Sequence, residues 1–374
     1  MKMTKYYFLW LLCTGLIFLS ACKKDNTPDP IVFKSLEEEI IYITEPYIRT
    51  GAIVGIINKN QERQVFSFGT KAVTTSQLPD INTVFEIGSM TKTFTATLLA
   101  KLMLEGVLED DTVEHYLPVD SVFLPYAGGE KIRFIHLATH TSGIPRTLQD
   151  SDYPKPHGYN IFDPYAEYTT EIVYDYLTNF CELEFTPGSS WSYSNTGMGL
   201  LGHIIGLIDN TSFETVLQQQ IFDELDMDRS SVLLNDEQKI NLVLGYNSSN
   251  QLMPEFTAQD ILQGAGFIKS SLNDMFIYLE ANMGLIETGL YDAMLLAHQP
   301  TPYVCFLGLQ GMAWYTLELE DGQVITYTGG NTAGQASLMA FNKSTLTGMI
   351  LLFNSSSNYN IYMGHEIMKA IAKY

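Results

Sequence analysis

Phe85-Glu86-Ile87-Gly88-Ser89-Met90-Thr91-Lys92 leads into a segment whose apolar residues Phe94, Leu98, Leu102 and Leu104 recur at helical spacing and stop at Gly106. The spacing predicts a helix over 89–105, with Ser89 and Lys92 on one face three residues apart. That arrangement lets an amine reach a hydroxyl. Serine is a weak nucleophile until a neighbouring base takes its proton. A lysine is such a base only if burial or nearby positive charge lowers its pKa. The positive end of the helix dipole beside Ser89 favours an anionic oxygen there. Taken alone, however, Ser-x-x-Lys reads as a capping serine beside a solvated lysine.

Two further segments carry side chains of the right chemistry. Tyr193-Ser194-Asn195 ends the run Pro187-Gly188-Ser189-Ser190-Trp191-Ser192 and precedes a Gly-rich helical stretch. A phenol relays a proton and a carboxamide holds a carbonyl, although a turn with an Asn helix cap has the same sequence. Tyr327-Thr328-Gly329-Gly330 closes a strand pattern. Glycine there lets a substrate backbone approach the strand, and a backbone N–H there completes an oxyanion hole; a Gly-rich turn between strands is the plainer alternative.

In this order the three segments resemble the Ser-x-x-Lys, Tyr-x-Asn and Lys/His-Thr-Gly motifs of the serine β-lactamase, penicillin-binding-protein and D-Ala-D-Ala peptidase superfamily. Flanking text is similar too: Phe85-Glu86-Ile87-Gly88, His136-Leu137-Ala138-Thr139-His140-Thr141-Ser142-Gly143, Phe222-Asp223-Glu224-Leu225-Asp226-Met227, and Gly264-Ala265-Gly266-Phe267 with Ser270, Ser271, Asp274 and Met275. The likeness extends from about Leu36 to the end, and the Tyr-x-Asn form resembles class C enzymes, D-aminopeptidases and related esterases. It implies that Ser89 forms an acyl-enzyme, that Lys92 and Tyr193 handle its proton, and that Asn195 orients the substrate amide. It further implies that Tyr327, Thr328, Gly329 and Gly330 line the substrate, with the N–H groups of Ser89 and Gly330 holding the oxyanion. No metal or organic cofactor is implied. Position 327 departs from the pattern, which has Lys or His there. A tyrosine, with an ordinary pKa of about 10, brings no charge at pH 7. The expectation is poor handling of β-lactams and a preference for esters or amides lacking their carboxylate.

The remaining chain predicts an α/β (α+β) fold of the β-lactamase/transpeptidase-like kind. Residues 33–49 read as an amphipathic helix, and 52–57 with 64–68 as a hairpin. Helical patterns follow at 132–139, 169–181, 196–208 and 212–225, with a loop over 147–164 near the site. Strand patterns then occupy 311–320, 323–327, 335–341 and 348–353, with Asp321-Gly322 as a hairpin turn, before a helix over 361–372. Strands at both ends with helices between them predict one antiparallel sheet covered by the terminal helices and a mostly helical second lobe. The expected division is an α/β lobe over about 35–85 and 255–374 and a helical lobe over about 86–254, with a crevice between them.

The first residues bear on location. Lys2 and Lys5 precede an apolar run over 6–19, too short for a membrane span, and then Leu19-Ser20-Ala21-Cys22. This order reads as an export signal over 1–21. It also resembles a bacterial lipoprotein signal, which implies lipidation of Cys22, a tether over 22–34 and a place in the cell envelope. The net charge of −21 becomes −23 without residues 1–21, which carry those two lysines and no acid. Such acidity repels phosphates and excludes nucleic acid as a partner; a small-molecule or peptide substrate, the membrane anchor and a monomeric state are expected. Cys181 and Cys305 stand either as a pair or as separate thiols.

Other patterns carry less. His136 and His140 have zinc-like spacing, but Leu137 replaces the glutamate of the protease motif, and both read as structural. Gly329, Gly330 and Gly334 lack the Gly-Lys-Ser/Thr of a phosphate loop. Gly202 and Gly206 read as close helix packing, and Asp150 and Asp152 as a solvated loop. The rival function is a binding or scaffolding lipoprotein that keeps the fold without turnover, a reading prompted by Tyr327.

Overall fold

A computed structural model of the chain describes residues 32–118 and 121–374. The signal segment, Cys22 and most of the tether lie outside these residues. Helix α1 (Leu36–Thr44) starts where the Ser35 hydroxyl accepts the Glu38 N–H, and Glu37, Glu38 and Glu39 sit at the positive end of its dipole. The hairpin β1 (Gly51–Ile57) and β2 (Arg63–Gly69) follows. Strand β3 (Val84–Glu86) leads through a 3₁₀ turn over Gly88–Met90 into α2 (Thr91–Leu104). Next come α3 (Phe134–Ala138), α4 (Thr170–Asn179), α5 (Asn195–Ile208), α6 (Phe213–Leu217), α7 (Asp236–Asn241) and α8 (Asp260–Gln263). Strand β4 (Lys269–Ser271) pairs with β3 and runs into α9 (Leu272–Met283), then α10 (Tyr291–His298). The chain ends with β5 (Val304–Cys305), β6 (Gly308–Gln310), β7 (Tyr315–Glu318), β8 (Val324–Asn331), β9 (Ala336–Asn342), β10 (Thr347–Phe353) and α11 (Asn360–Lys373).

The main sheet has the order β2-β1-β10-β9-β8-β7-β6-β5, antiparallel throughout. The first strand and the last are neighbours, with Ala52 opposite Phe353. Strands β1, β9 and β10 are buried on both faces, so their side chains alternate between two cores. Val54, Ile56, Leu338, Ala340, Met349 and Leu351 meet Ile40 of α1 and Ile367 and Ile371 of α11. Ile53, Ile57, Met339, Phe341, Ile350 and Leu352 join the larger core that contains Phe276 of α9, Phe94 of α2 and the central helices.

The central helices pack through glycine. A Cβ at Gly202 of α5 would lie 2.8 Å from the Gly264 Cα, and one at Gly206 2.8 Å from the Phe213 nitrogen. The two glycines thus serve close packing within this lobe, as their spacing suggested.

Three elements differ from expectation. The stretch over 311–320 is not one strand, because the N–H groups of Met312 and Ala313 turn to the carbonyls of Ala297 and Ala138 at the ends of α10 and α3. Strand pairing resumes only at Tyr315, and β5 and β6 add a short hairpin beyond it. The helix expected over 212–225 widens after α6 into a π-helical turn over Gln218–Phe222. Strand β8 runs through Thr328 and both glycines to Asn331 rather than stopping at 327. Cys181 and Cys305 are separate free thiols. Among the described residues no helix is long and apolar enough to cross a membrane.

Candidate active site

Ser89 sits in the tight turn before α2, where Gly88 has φ +51°. That left-handed conformation favours glycine, and a Cβ at Gly88 would also meet the Asn331 nitrogen at 2.9 Å. One turn on, the Lys92 side chain, only 2% exposed, returns to the serine. Its Nζ lies 3.0 Å from Ser89 Oγ and 2.9 Å from Asn195 Oδ1, and it donates to the Ala265 carbonyl. The Tyr193 hydroxyl donates to Ser89 Oγ at 2.7 Å. Hydroxyl, amine, phenol and carboxamide from two distant parts of the chain therefore meet, although 103 residues separate Lys92 from Asn195.

Protonation follows from the surroundings. Burial drives Lys92 well below the usual lysine range, and the Arg146 charge adds to this. No carboxylate pairs with Lys92 among the described residues. A neutral amine has two N–H groups and one lone pair. Asn195 Oδ1 and the Ala265 carbonyl only accept, so they take both hydrogens and the lone pair faces the Ser89 proton. Burial pushes Tyr193 up to about 12, against the pull of its bond to Ser89 and of Arg146. The surroundings thus push the Tyr193 phenol away from ionisation and the Lys92 side chain toward the neutral amine.

His140 supports the phenol. Its ring lies 4.3 Å from that of Tyr193, and its Nδ1 accepts the Ser194 N–H, which puts the ring proton on Nε2. Burial, with the Arg146 charge nearby, holds its pKa well below the usual histidine range. His136 uses Nδ1 to accept the Arg133 N–H. Asp150 accepts the backbone N–H and the hydroxyl of Thr147, closing a turn.

Strand β8 contributes only half of the residues expected from it. Thr328 and Gly330 share the face toward α2. A Cβ at Gly330 would stand 2.7 Å from the Ser89 nitrogen, so only glycine lets the strand and Ser89 approach this closely. The Thr328 hydroxyl bonds the Ala313 carbonyl. Tyr327 and Gly329 face the other way, because side chains alternate along a strand. The Tyr327 phenol is buried beneath α11, its ring 5.1 Å from His365 and its hydroxyl bonded to the Leu307 carbonyl at 2.5 Å. Tyr327 is therefore a core residue and does not line the substrate. The last β7–β8 pair is Tyr315 with Tyr327, so β8 from Thr328 to Asn331 has a partner only in β9.

Sequence reasoning missed several neighbours. A pocket of about 240 Å³ beside Ser89 is lined by Arg146, Tyr165, Asn195, Phe256, Phe267 and Thr332, among others. Asn195 Nδ2 donates to the Tyr165 hydroxyl at 2.8 Å. Buried Glu86 accepts the Phe256 N–H at 2.6 Å and the Thr332 hydroxyl at 2.5 Å, tying two walls together. Glu86 and Phe267 stand inside segments already singled out; Arg146, two residues after Ile144, carries no local signal.

A family model described as Beta-lactamase matches residues 42–370. The chain belongs to the β-lactamase family. It is 28% identical over 260 residues to a beta-lactamase of Providencia stuartii, covering 68% of this chain and 62% of that protein, somewhat less than two thirds of its length. It is 24% identical over 296 residues to the D-alanyl-D-alanine-carboxypeptidase/endopeptidase AmpH of Escherichia coli, covering 75% and 73%. The solved structure of a class C beta-lactamase superposes with a TM-score of 0.75 at 22% identity, over 89% of this chain and 96% of that one, a likeness of fold.

A depressed lysine leaves a thermodynamic trace. Above its folded pKa, Lys92 binds a proton only in the unfolded chain, so folding gains stability as pH rises toward the ordinary lysine value near 10.5. Wild type should therefore gain stability relative to Lys92→Met between pH 7 and 10, in urea unfolding followed at several pH values. Parallel pH dependences for the two proteins would show an unperturbed lysine.

Proposed function

We propose that the chain is a serine hydrolase that acylates Ser89 and acts on an amide, β-lactam or ester. The observation that carries this reading is Ser89 Oγ lying 3.0 Å from the Lys92 amine and 2.7 Å from the Tyr193 hydroxyl. As Ser89 attacks the carbonyl, its proton passes to the Lys92 lone pair and the new C–O bond forms. The N–H groups of Ser89 and Gly330 stabilise the oxyanion. The bond to the leaving nitrogen or oxygen breaks as Tyr193 donates its proton there, and the phenol is reprotonated from Lys92. Water then repeats the sequence in reverse and frees the acid. Asn195 holds the amine with Oδ1 and faces the acyl pocket.

Two relatives named as a beta-lactamase and as a D-alanyl-D-alanine carboxypeptidase/endopeptidase support peptide-like amides and β-lactams as substrates. The rival reading, a scaffold without turnover, rested on Tyr327. The contacts of Ser89 with Lys92 and Tyr193 favour turnover over that reading.

A fluorophosphonate and a fluorescent penicillin test the nucleophile. Intact mass should show one adduct with at least one probe, absent in Ser89→Ala. Tyr193→Phe should acylate about 10²–10⁴-fold more slowly, the usual share of a general acid–base group. No adduct with either probe would refute the proposal. We further propose that the domain works outside the cytoplasm, held to a membrane by a lipid on Cys22, on the support of the apolar run and Leu19-Ser20-Ala21-Cys22. Wild type should fractionate with membranes and Cys22→Ser should be released; equal partitioning of both would contradict the anchor.

A further inference from the structure

Arg146 acts on Lys92 and Tyr193 through its charge, but none of the acyl-transfer steps uses its guanidinium as a hydrogen-bonding group. Its guanidinium carbon lies 4.8 Å from the centre of the Tyr193 ring. Its backbone carbonyl accepts the N–H groups of Asn195 at 2.9 Å and Thr196 at 3.2 Å, which fixes it against the start of α5. The residue is exposed at the mouth of the pocket beside Ser89. The chain has 42 acidic residues against 21 lysines and arginines, and Arg63, Lys71, Arg133 and Lys269 each find a carboxylate. Arg146 forms no ion pair among the described residues.

The pocket lining is otherwise uncharged. Phe256 and Phe267 stack with ring centres 5.0 Å apart, and Tyr165 stands edge-on to both at 5.6 Å. An aromatic wall thus takes hydrocarbon, and the rim offers a guanidinium, a group that stays charged and binds carboxylates in a two-pronged geometry. Ser89 and Asn195 line this pocket, whereas Tyr193 does not. The leaving group must approach the Tyr193 hydroxyl to receive its proton, so this pocket takes the other half of the substrate.

We propose that Arg146 determines specificity by binding a carboxylate carried on the acyl half of the substrate, whose apolar part lies against Tyr165, Phe256 and Phe267. This rests on the acyl-enzyme reading above. In so acidic a protein the guanidinium also offsets the repulsion an anionic acyl group meets on approach.

Two esters with the same leaving group and the same six-carbon acyl chain test it: the mono-p-nitrophenyl ester of adipic acid and p-nitrophenyl hexanoate. With spontaneous hydrolysis subtracted, wild type should favour the carboxylated ester by about tenfold in kcat/KM, the scale of one charge-assisted contact at a partly exposed site. Arg146→Gln should abolish the preference and Arg146→Lys should restore part of it. The ratio of the two substrates separates recognition from structural damage, which lowers both rates together. Equal kcat/KM values in wild type, or a preference that survives Arg146→Gln, would overturn the inference and leave the hydrolase standing. Turnover of neither ester, with no adduct on Ser89, would overturn both.

Discussion

An amine shut away from water with no carboxylate beside it cannot stay charged cheaply; an unpaired buried ion costs several kcal/mol. Lys92 is in that position, and its surroundings convert the cost into chemistry. Two oxygens that only accept, Asn195 Oδ1 and the Ala265 carbonyl, would use the hydrogens of a neutral amine, and in the proposed mechanism its lone pair is left for Ser89. These partners come from the start of α5 and from the segment after α8. The fold holds them through the near contact of Gly202 with Gly264, one residue before the carbonyl that orients the amine. Helix packing and base strength are thus set by the same few atoms.

The opposite wall depends on the alternation of a single strand. Strand β8 turns Tyr327 into the core under α11 and Gly330 against Ser89, so one segment is both a structural beam and the rim of the site. Beyond Tyr327 its edge toward β7 is unpaired. An extended substrate can lie along that edge, making backbone hydrogen bonds as an added strand does. Position 327, where the resembling family pattern has Lys or His, brings no charge to this strand, and the charge in the cleft comes from Arg146 instead.

Much of this was legible in the sequence, for physical reasons. Helical apolar spacing marked α2, α5 and α11, and short apolar runs marked β1, β9 and β10. Ser89, Lys92, Tyr193 and Asn195 were found because their side-chain types make chemical sense together and occur in a recognisable order. At the level of sequence, Tyr327 and Gly329 go together with Thr328 and Gly330 because the resembling motif names the segment as a whole. Strand parity sends Tyr327 and Gly329 to the far face. The β5–β6 hairpin was hidden because its strands are only two and three residues long. Arg146, Tyr165 and Phe256 were hidden because each enters the site from a loop whose path is set by distant contacts, such as the hydrogen bond between Glu86 and the Phe256 N–H.

The central claim is that Lys92 is uncharged at neutral pH while in contact with Ser89. Its most direct test is the pH titration of the side-chain carbon and nitrogen resonances of Lys92 in lysine-labelled protein, assigned by comparison with Lys92→Arg. A neutral-amine signal at pH 7 that becomes an ammonium signal only on acidification is the predicted result. An ammonium signal that persists to pH 10 would contradict the account.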